Sequence, residues 1–296
     1  MKALAIFVMR GRTQAVITAS VLTVLSMIIP PLSYLSGAIV GLVTLRHGPR
    51  DGVILAAISA LIVAGLAGLT LGNGLYALVF LVVVWLPIWL ASIVLRQSIS
   101  LGLALITVAG LGLILVAGFH IVVGDTISFW REIVERVTTE AWANLPVMDR
   151  EQLTTDVAQM ATALLGATFM LSVAVSLFIA RWWQATLFNP GGFGQEFRAL
   201  RLNRAGAVIT VCLLALALAT GQAGDMLNDL TTVLIMLYAF PGLALFHDWT
   251  EKTSASNVWL VALYIMLLFA APQVLTVLSI MGMGDSWGDF RKHYSQ

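Results

Sequence analysis

The chain has 296 residues, of which 59% are hydrophobic and only 10% are charged, and its mean hydropathy is +0.95. Soluble globular domains carry about 25% charged residues, so this composition excludes that class. The formal net charge is only +1 and the basic residues are dispersed along the chain, which argues against nucleic-acid binding. We therefore expect a polytopic membrane protein, with residues 1–296 forming a single all-α transmembrane domain.

Nine apolar segments follow one another along the chain, and none of them contains Lys, Arg, Asp or Glu. They are Thr13–Ile29, Leu32–Leu45, Gly52–Leu71, Leu75–Leu95, Leu101–Val123, Met160–Ala180, Ala205–Thr220, Leu230–Phe246 and Val258–Ile280. A helix of about 20 such residues spans a hydrocarbon core of about 30 Å. The second segment is the shortest, and a re-entrant hairpin is the alternative there. The pattern predicts a helical bundle of about nine crossings, with eight as the alternative.

The charges between the segments predict the orientation in the membrane. With a cytoplasmic N-terminus and nine crossings, 11 of the 16 basic residues lie on the cytoplasmic side, as the positive-inside bias requires. Nine crossings then place the C-terminus outside, whereas eight crossings return it to the cytoplasm.

The segment Arg181–Arg204 is the most basic interruption of the apolar sequence, with four arginines and one glutamate. Asn189–Gly192 has the composition of a turn, and the apolar spacing after it predicts a short interfacial helix. Arg198 and Arg201 are neighbours on that helix, and we expect them to face lipid phosphates or the carboxylates of a protein partner.

The outer side carries a second helix and a set of polar residues. Residues from Ser128 to about Trp142 alternate at helical spacing between apolar and charged, which predicts an amphipathic helix lying on the membrane. That helix acts either as a lid or as a seal of the bundle. The candidate ligand-binding residues of this outer rim are Asn73, His120, Asp125, Gln222, Asp225 and Asp229. The alternative for His120 is an interfacial hydrogen-bonding residue.

No pattern in the chain indicates an enzyme. No carboxylate lies inside an apolar segment, and no spacing of His, Cys, Asp and Glu matches a metal site. We expect no cofactor. The clearest packing signal is a ridge of small residues repeating every four positions from Gly52 to Gly72, which predicts that this helix lies at the centre of the bundle.

Three stretches carry a resemblance to a known family: GLVTLRHGPRDG at Gly41–Gly52, ARWWQATLFNPGGFGQEFRALRL at Ala180–Leu202 and MGDSWGDFRK at Met283–Lys292. In these the chain resembles the YybS-like family of bacterial membrane proteins, which implies a bacterial inner-membrane location. That family is remotely similar to the substrate-binding subunits of energy-coupling-factor transporters. The similarity implies a small molecule taken up under an external loop, and docking on a membrane partner through an Ala-xxx-Ala pair, here Ala15 and Ala19.

Two functions follow from these features. The first is a non-enzymatic inner-membrane protein that binds a small molecule or lipid from the outer side and works with a partner. The alternative is a structural or interaction protein of the cell envelope that recruits a cytoplasmic partner through Arg181–Arg204. A membrane-embedded enzyme acting on lipid is disfavoured by the scarcity of polar residues within the apolar segments.

Overall fold

The structure is a computed structural model that describes residues 1–138, 142, 146–220, 226–253, 255–288 and 290–292. Within these ranges all regular elements are helical, which confirms the all-α prediction for the described residues. Five of the described helices, rather than nine, are long and apolar enough to cross a membrane by themselves. Large apolar side chains such as Leu69, Ile121 and Leu164 are exposed along them, as expected of helices that face lipid.

The chain divides into two compact units, residues 1–108 with 171–200 and residues 109–170 with 201–296. The first unit contains α1 (Lys2–Val8), α2 (Arg12–Leu25), α3 (Leu32–His47), α4 (Pro49–Leu71), α5 (Leu75–Phe80), α6 (Leu86–Ser98) and α10 (Gly192–Arg198). The second contains α8 (Thr126–Thr138), α11 (Arg204–Thr220), α12 (Met226–Lys252), α13 (Val258–Phe269) and α14 (Ala271–Gly288). Two further helices, α7 (Leu101–Val123) and α9 (Val147–Phe188), contribute residues to both units. The prediction of one domain stays a prediction.

Helix α3, from the shortest apolar segment, forms the core of the first unit. Its residues Ser36 to Leu45 are all buried, so it is covered on every side. The Ser36 hydroxyl accepts a hydrogen bond from Trp85 Nε1 (3.1 Å), lies 2.8 Å from Thr23 Oγ1 and donates to the Ala19 carbonyl (3.0 Å). This buried network fixes α2 and α3 against the segment before α6, because an unpaired polar group there would be costly.

The prediction that α4 lies at the centre of the bundle is wrong for half of its length. A Cβ added at Gly52 would lie 1.9 Å from Thr44 Oγ1, so the start of α4 packs directly on α3. Ala56 is buried there, whereas Gly65 and Gly68 meet nothing within 4 Å. The ridge of small residues is therefore longer than the part of α4 that packs against another helix.

The segment Leu75–Ser98 is one apolar span of 24 residues that contains an irregular turn. Leu81–Trp85 form a turn of π-helix just before Pro87, which is the second residue of α6. Proline lacks an amide hydrogen and its ring crowds the carbonyl four residues earlier, so a wider turn at this point lets the helix continue.

In the second unit α12 and α14 pack backbone against backbone. A Cβ added at Gly242 would lie 1.8 Å from the Leu278 carbonyl oxygen, and one at Gly282 would lie 2.1 Å from the Tyr238 carbonyl oxygen. The two helices run in the same direction, since Ser279 Oγ donates to the Ile235 carbonyl (2.7 Å) and Lys252 Nζ donates to the Arg291 carbonyl (3.4 Å).

The ninth apolar segment is two helices, so the prediction of a single crossing at Val258–Ile280 is wrong. Ala270 leaves the helical conformation, with φ −138° and ψ 42°, and Pro272 follows as the second residue of α14. A proline cannot continue the preceding helix, because it removes one amide donor and clashes with a carbonyl in the turn before it.

Tyr264 of α13 lies beside His247 of α12, with Oη and Nε2 2.9 Å apart, and Trp259 contacts Trp249, with ring centroids 6.2 Å apart. The earlier residue of α13 meets the later residue of α12, so the two helices are antiparallel. The chain therefore turns back at Ala270.

Two predicted features near the polar segments are confirmed as helices. The amphipathic segment forms α8, which ends at Thr138. After the turn at Asn189–Gly192, where Gly191 has φ +85°, a short helix α10 forms. It ends at Arg198, so the prediction that Arg201 lies on the same helix is wrong. Helix α9 has 42 residues and begins at Val147, which places Asp149 within its first turn. At about 1.5 Å per residue, α9 is about twice as long as a hydrocarbon core is thick.

Candidate functional site

Helices α7, α9 and α12 meet in the second unit at a layer of small and β-branched residues. A Cβ added at Gly166 of α9 would lie 2.5 Å from Val116 Cγ2 and 2.8 Å from Val233 Cγ2. Gly112 of α7 is similarly close to Val233, at 3.1 Å. The glycines let the three backbones approach closely, and this layer sets the register of the residues beyond it.

One helical turn beyond this layer lie three polar residues: His120, four positions after Val116, Thr162, four before Gly166, and Asp229, four before Val233. His120 Nε2 and Asp229 Oδ2 are 2.7 Å apart. The His120 side chain is 11% exposed and that of Asp229 only 2% exposed, so the pair is buried. Thr162 is buried as well. Residues at i and i+4 share a helix face, which explains why the packed layer also aligns these polar side chains.

Helix α8 covers this polar layer. Trp130 Nε1 donates to Thr162 Oγ1 at 2.9 Å, and Arg131 Nη2 donates to Thr155 Oγ1 at 3.1 Å. The Phe119 ring contacts those of Phe129 and Trp130, with centroids 5.4 and 5.6 Å apart. The polar and aromatic contacts together hold the amphipathic helix down on α7 and α9.

The His120–Asp229 pair joins an imidazole ring of α7 to a carboxylate of α12. His120 lies in the last turn of α7 and Asp229 in the first turn of α12, where the helix dipoles favour a positive and a negative charge respectively. A buried carboxylate with a paired cation is far less costly than one alone.

Asp125 has a local role at the start of α8. Its Oδ1 accepts from the Ser128 amide (3.0 Å) and its Oδ2 from the Ser128 hydroxyl (2.7 Å). These two hydrogen bonds hold the pKa of Asp125 below its ordinary value of 3.8, and the bond from the Ser128 backbone amide has the larger effect. Asp125 therefore acts as the N-cap of the covering helix.

The other predicted rim residues are not brought to this pair by described contacts. Asn73 belongs to the first unit, where its Oδ1 accepts from the Leu75 amide at 2.9 Å. Gln222 and Asp225 lie outside the described residues. Among the four rim residues that the structure describes, only His120 and Asp229 are joined directly by a described contact.

Of the predicted docking residues, Ala15, Ala19 and Arg201 are packed or bonded within their own units, and Arg198 lines a cavity. Ala15 and Ala19 of α2 are buried in the first unit. Arg198 lies beside a cavity with Trp182 and Phe193, in the same unit. Arg201 Nη2 donates to the Asp285 carbonyl at 2.7 Å, and its Nε lies 3.2 Å from Asp285 Oδ2. Docking through these residues stays a prediction.

The sequence reasoning missed the structural role of Asp285. This buried carboxylate also accepts from Arg291 Nε at 3.2 Å, while Arg204 donates to the carbonyls of Ser286 and Trp287, both at 3.2 Å. The last carbonyls of a helix have no partner within it, so Arg201, just before α11, and Arg204, its first residue, cap the end of α14. No local signal in the sequence connects residues so far apart.

Among the described residues, no group of three or more His, Cys, Asp or Glu side chains could hold a metal ion. No protein-family model, curated protein or solved structure matches the chain. The geometry of the second unit is therefore the main guide to function.

Proposed function

We propose that this multi-pass membrane protein is a transport component that binds a small molecule carrying an amine or other cationic group beneath α8. The observation that carries the proposal is the buried His120–Asp229 pair under that helix. Ionisable groups buried in a membrane bundle are costly and commonly mark the path of a substrate or proton. The proposed similarity to transporter substrate-binding subunits assigns the covering role to an external loop, and α8 is the element suited to that role here.

The carboxylate of Asp229 is the group of the pair that would bind a cation. The elements packed around the pair also carry ionisable residues, namely Asp125, Arg131, Glu132, Glu135, Arg136, Asp149, Arg150, Glu151 and Asp156. Of these, Arg131 is bound to Thr155, and Glu132 forms an exposed pair with Arg136 at 2.7 Å. We therefore expect the cationic group of the ligand to contact Asp229.

The test compares purified full-length protein with Asp229→Asn and His120→Gln. Small molecules released by denaturation are identified by mass spectrometry after purification at pH 8. We expect about tenfold less ligand on the Asp229→Asn protein, since a hydrogen bond to a charged group is lost. The His120→Gln protein keeps the Asp229 carboxylate and should therefore retain more ligand than Asp229→Asn.

Glu132→Gln is the matched control, because it removes one carboxylate from the exposed face of α8 and should leave the ligand in place. Size-exclusion chromatography of each variant checks the fold. If no molecule co-purifies, thermal-shift assays against a panel of small amines at pH 8 use the same variants. Undiminished binding by Asp229→Asn, or no stabilisation by any amine, contradicts the proposal.

A further inference from the structure

The first unit has a strongly positive charge balance. It contains eight basic and two acidic residues, all of them described, which gives a formal net charge of +6. None of the ten lies within residues 13–45, 52–95, 97–108 or 171–180. The charged ends of the helices meet, because Arg12 pairs with Asp51, Arg181 with Glu196, and Arg96 contacts the end of α3. We call this the charged end of the first unit.

A cavity of about 360 Å³ opens at the charged end, lined by Leu45, Arg96, Ile99, Arg181, Gln184 and Glu196 among others. Within it Arg181 is neutralised: Nε donates to Glu196 Oε2 at 2.8 Å, Nη2 donates to the other carboxylate oxygen, and Nη1 donates to Gln184 Oε1 at 2.5 Å. The charge of the cavity therefore depends on Arg96.

Arg96 is held in place by the end of α3. The Leu45 carbonyl would accept from the amide of residue 49 in a continuous helix, but that residue is Pro49, which has no amide hydrogen. Arg96 Nη1 donates to this carbonyl at 2.5 Å, and Gln184 Nε2 approaches it at 3.4 Å. This contact uses one of the five N–H groups of the guanidinium. Among the described residues no carboxylate forms an ion pair with Arg96, so its charge is not neutralised.

An apolar side chain in an unusual conformation stands beside this cation. Ile99 follows α6, is 79% exposed and has φ 53° and ψ 28°. A β-branched residue rarely adopts the left-handed region, and strain of this kind concentrates at functional sites. The apolar span ends at Ser98, so Arg96 and Ile99 lie where the headgroups of a surrounding membrane begin.

We infer that this cavity binds the phosphate group of an anionic phospholipid. The guanidinium of Arg96 supplies charge-assisted hydrogen bonds to the phosphate oxygens, as arginine does in planar recognition of such groups. Ile99 at the rim contacts the acyl chains that leave the headgroup. The Arg181–Glu196 pair sets the strength of binding, because the Glu196 carboxylate repels the phosphate and occupies Arg181.

The test uses the full chain in nanodiscs of phosphatidylcholine with increasing phosphatidylglycerol, and native mass spectrometry counts the retained anionic lipids. Arg96→Gln should weaken retention about fivefold, since one basic side chain at a membrane surface changes binding by about that factor. Gln184 Nε2 already lies 3.4 Å from the Leu45 carbonyl, so the end of α3 keeps a donor in this variant. Glu196→Gln should strengthen retention by about the same factor, which a purely capping role for Arg96 does not predict.

Arg10→Gln is the matched control, because it removes the same charge from the first unit outside the cavity. An equal loss of lipid from Arg10→Gln and Arg96→Gln would show general surface attraction and overturn the cavity site. Inorganic phosphate added to pure phosphatidylcholine nanodiscs forms the second arm. Stabilisation by phosphate equal to that by phosphatidylglycerol, and lost in Arg96→Gln, would assign the cavity to soluble phosphate compounds and overturn the lipid assignment.

Discussion

At Gly242 and Gly282 the residue type is dictated by the neighbouring backbone. Each glycine faces a carbonyl of the opposite helix, and a methyl group at either position overlaps that carbonyl. Gly282→Ala should therefore destabilise the second unit by about 1–3 kcal/mol, the usual cost of overpacking. Thermal unfolding in detergent, followed by intrinsic fluorescence, measures the change.

Gly110→Ala supplies the matched control for this substitution. Gly110 is also helical and lies in the same unit, but a Cβ there meets nothing within 4 Å. Because alanine favours helix over glycine, this variant should be as stable as the wild type or slightly more stable. Equal destabilisation by the two substitutions would contradict the close packing of α12 and α14.

Helix α8 shows how a single cap controls an element that covers a site. The lowered pKa of Asp125 means that the capping contribution is complete above its ordinary value of 3.8 and is lost as the pH falls through the lower folded-state pKa. Hydrogen exchange of the first amides of α8, corrected for the intrinsic rate at each pH, should show lost protection on strong acidification.

The variant Asp125→Asn tests whether α8 loses its protection at low pH because Asp125 is protonated or because another group is. Asparagine is also a good N-cap but does not titrate, so α8 of this variant should keep its protection at all pH values. The same acid-induced loss in wild type and variant would show that another group releases the helix.

For the molecule as a whole, the break at Ala270 changes the side on which the chain ends. Because α12 and α14 run in the same direction, we expect Thr253 and Trp287 to be exposed on one side of the membrane and Thr220, at the opposite end of α11, on the other. Single cysteines at these positions in a Cys212→Ser background can be labelled with a membrane-impermeant maleimide. If cysteines at positions 253 and 287 were labelled from opposite sides, the fold-back at Ala270 would be contradicted and Val258–Ile280 would cross the membrane once.

Composition and local spacing were enough to predict the membrane class, the all-α architecture, the amphipathic α8 and the turn before α10. These features depend on patterns within about twenty residues, which local helix geometry converts directly into structure. His120 and Asp229 were also recognisable as candidates from their position at the edges of apolar segments.

Which of these residues act together could be learned only from the packing of the helices. His120 and Asp229 are 109 positions apart and Arg201 and Asp285 are 84 apart, so no local pattern predicts that they pair. The fold-back at Ala270 was hidden because Pro272 interrupts an apolar run whose composition suits one crossing as well as two shorter helices. Packing contacts such as that between Gly166 and Val116 fix how far each helix is shifted along its neighbours. This register decides which polar side chains lie opposite each other.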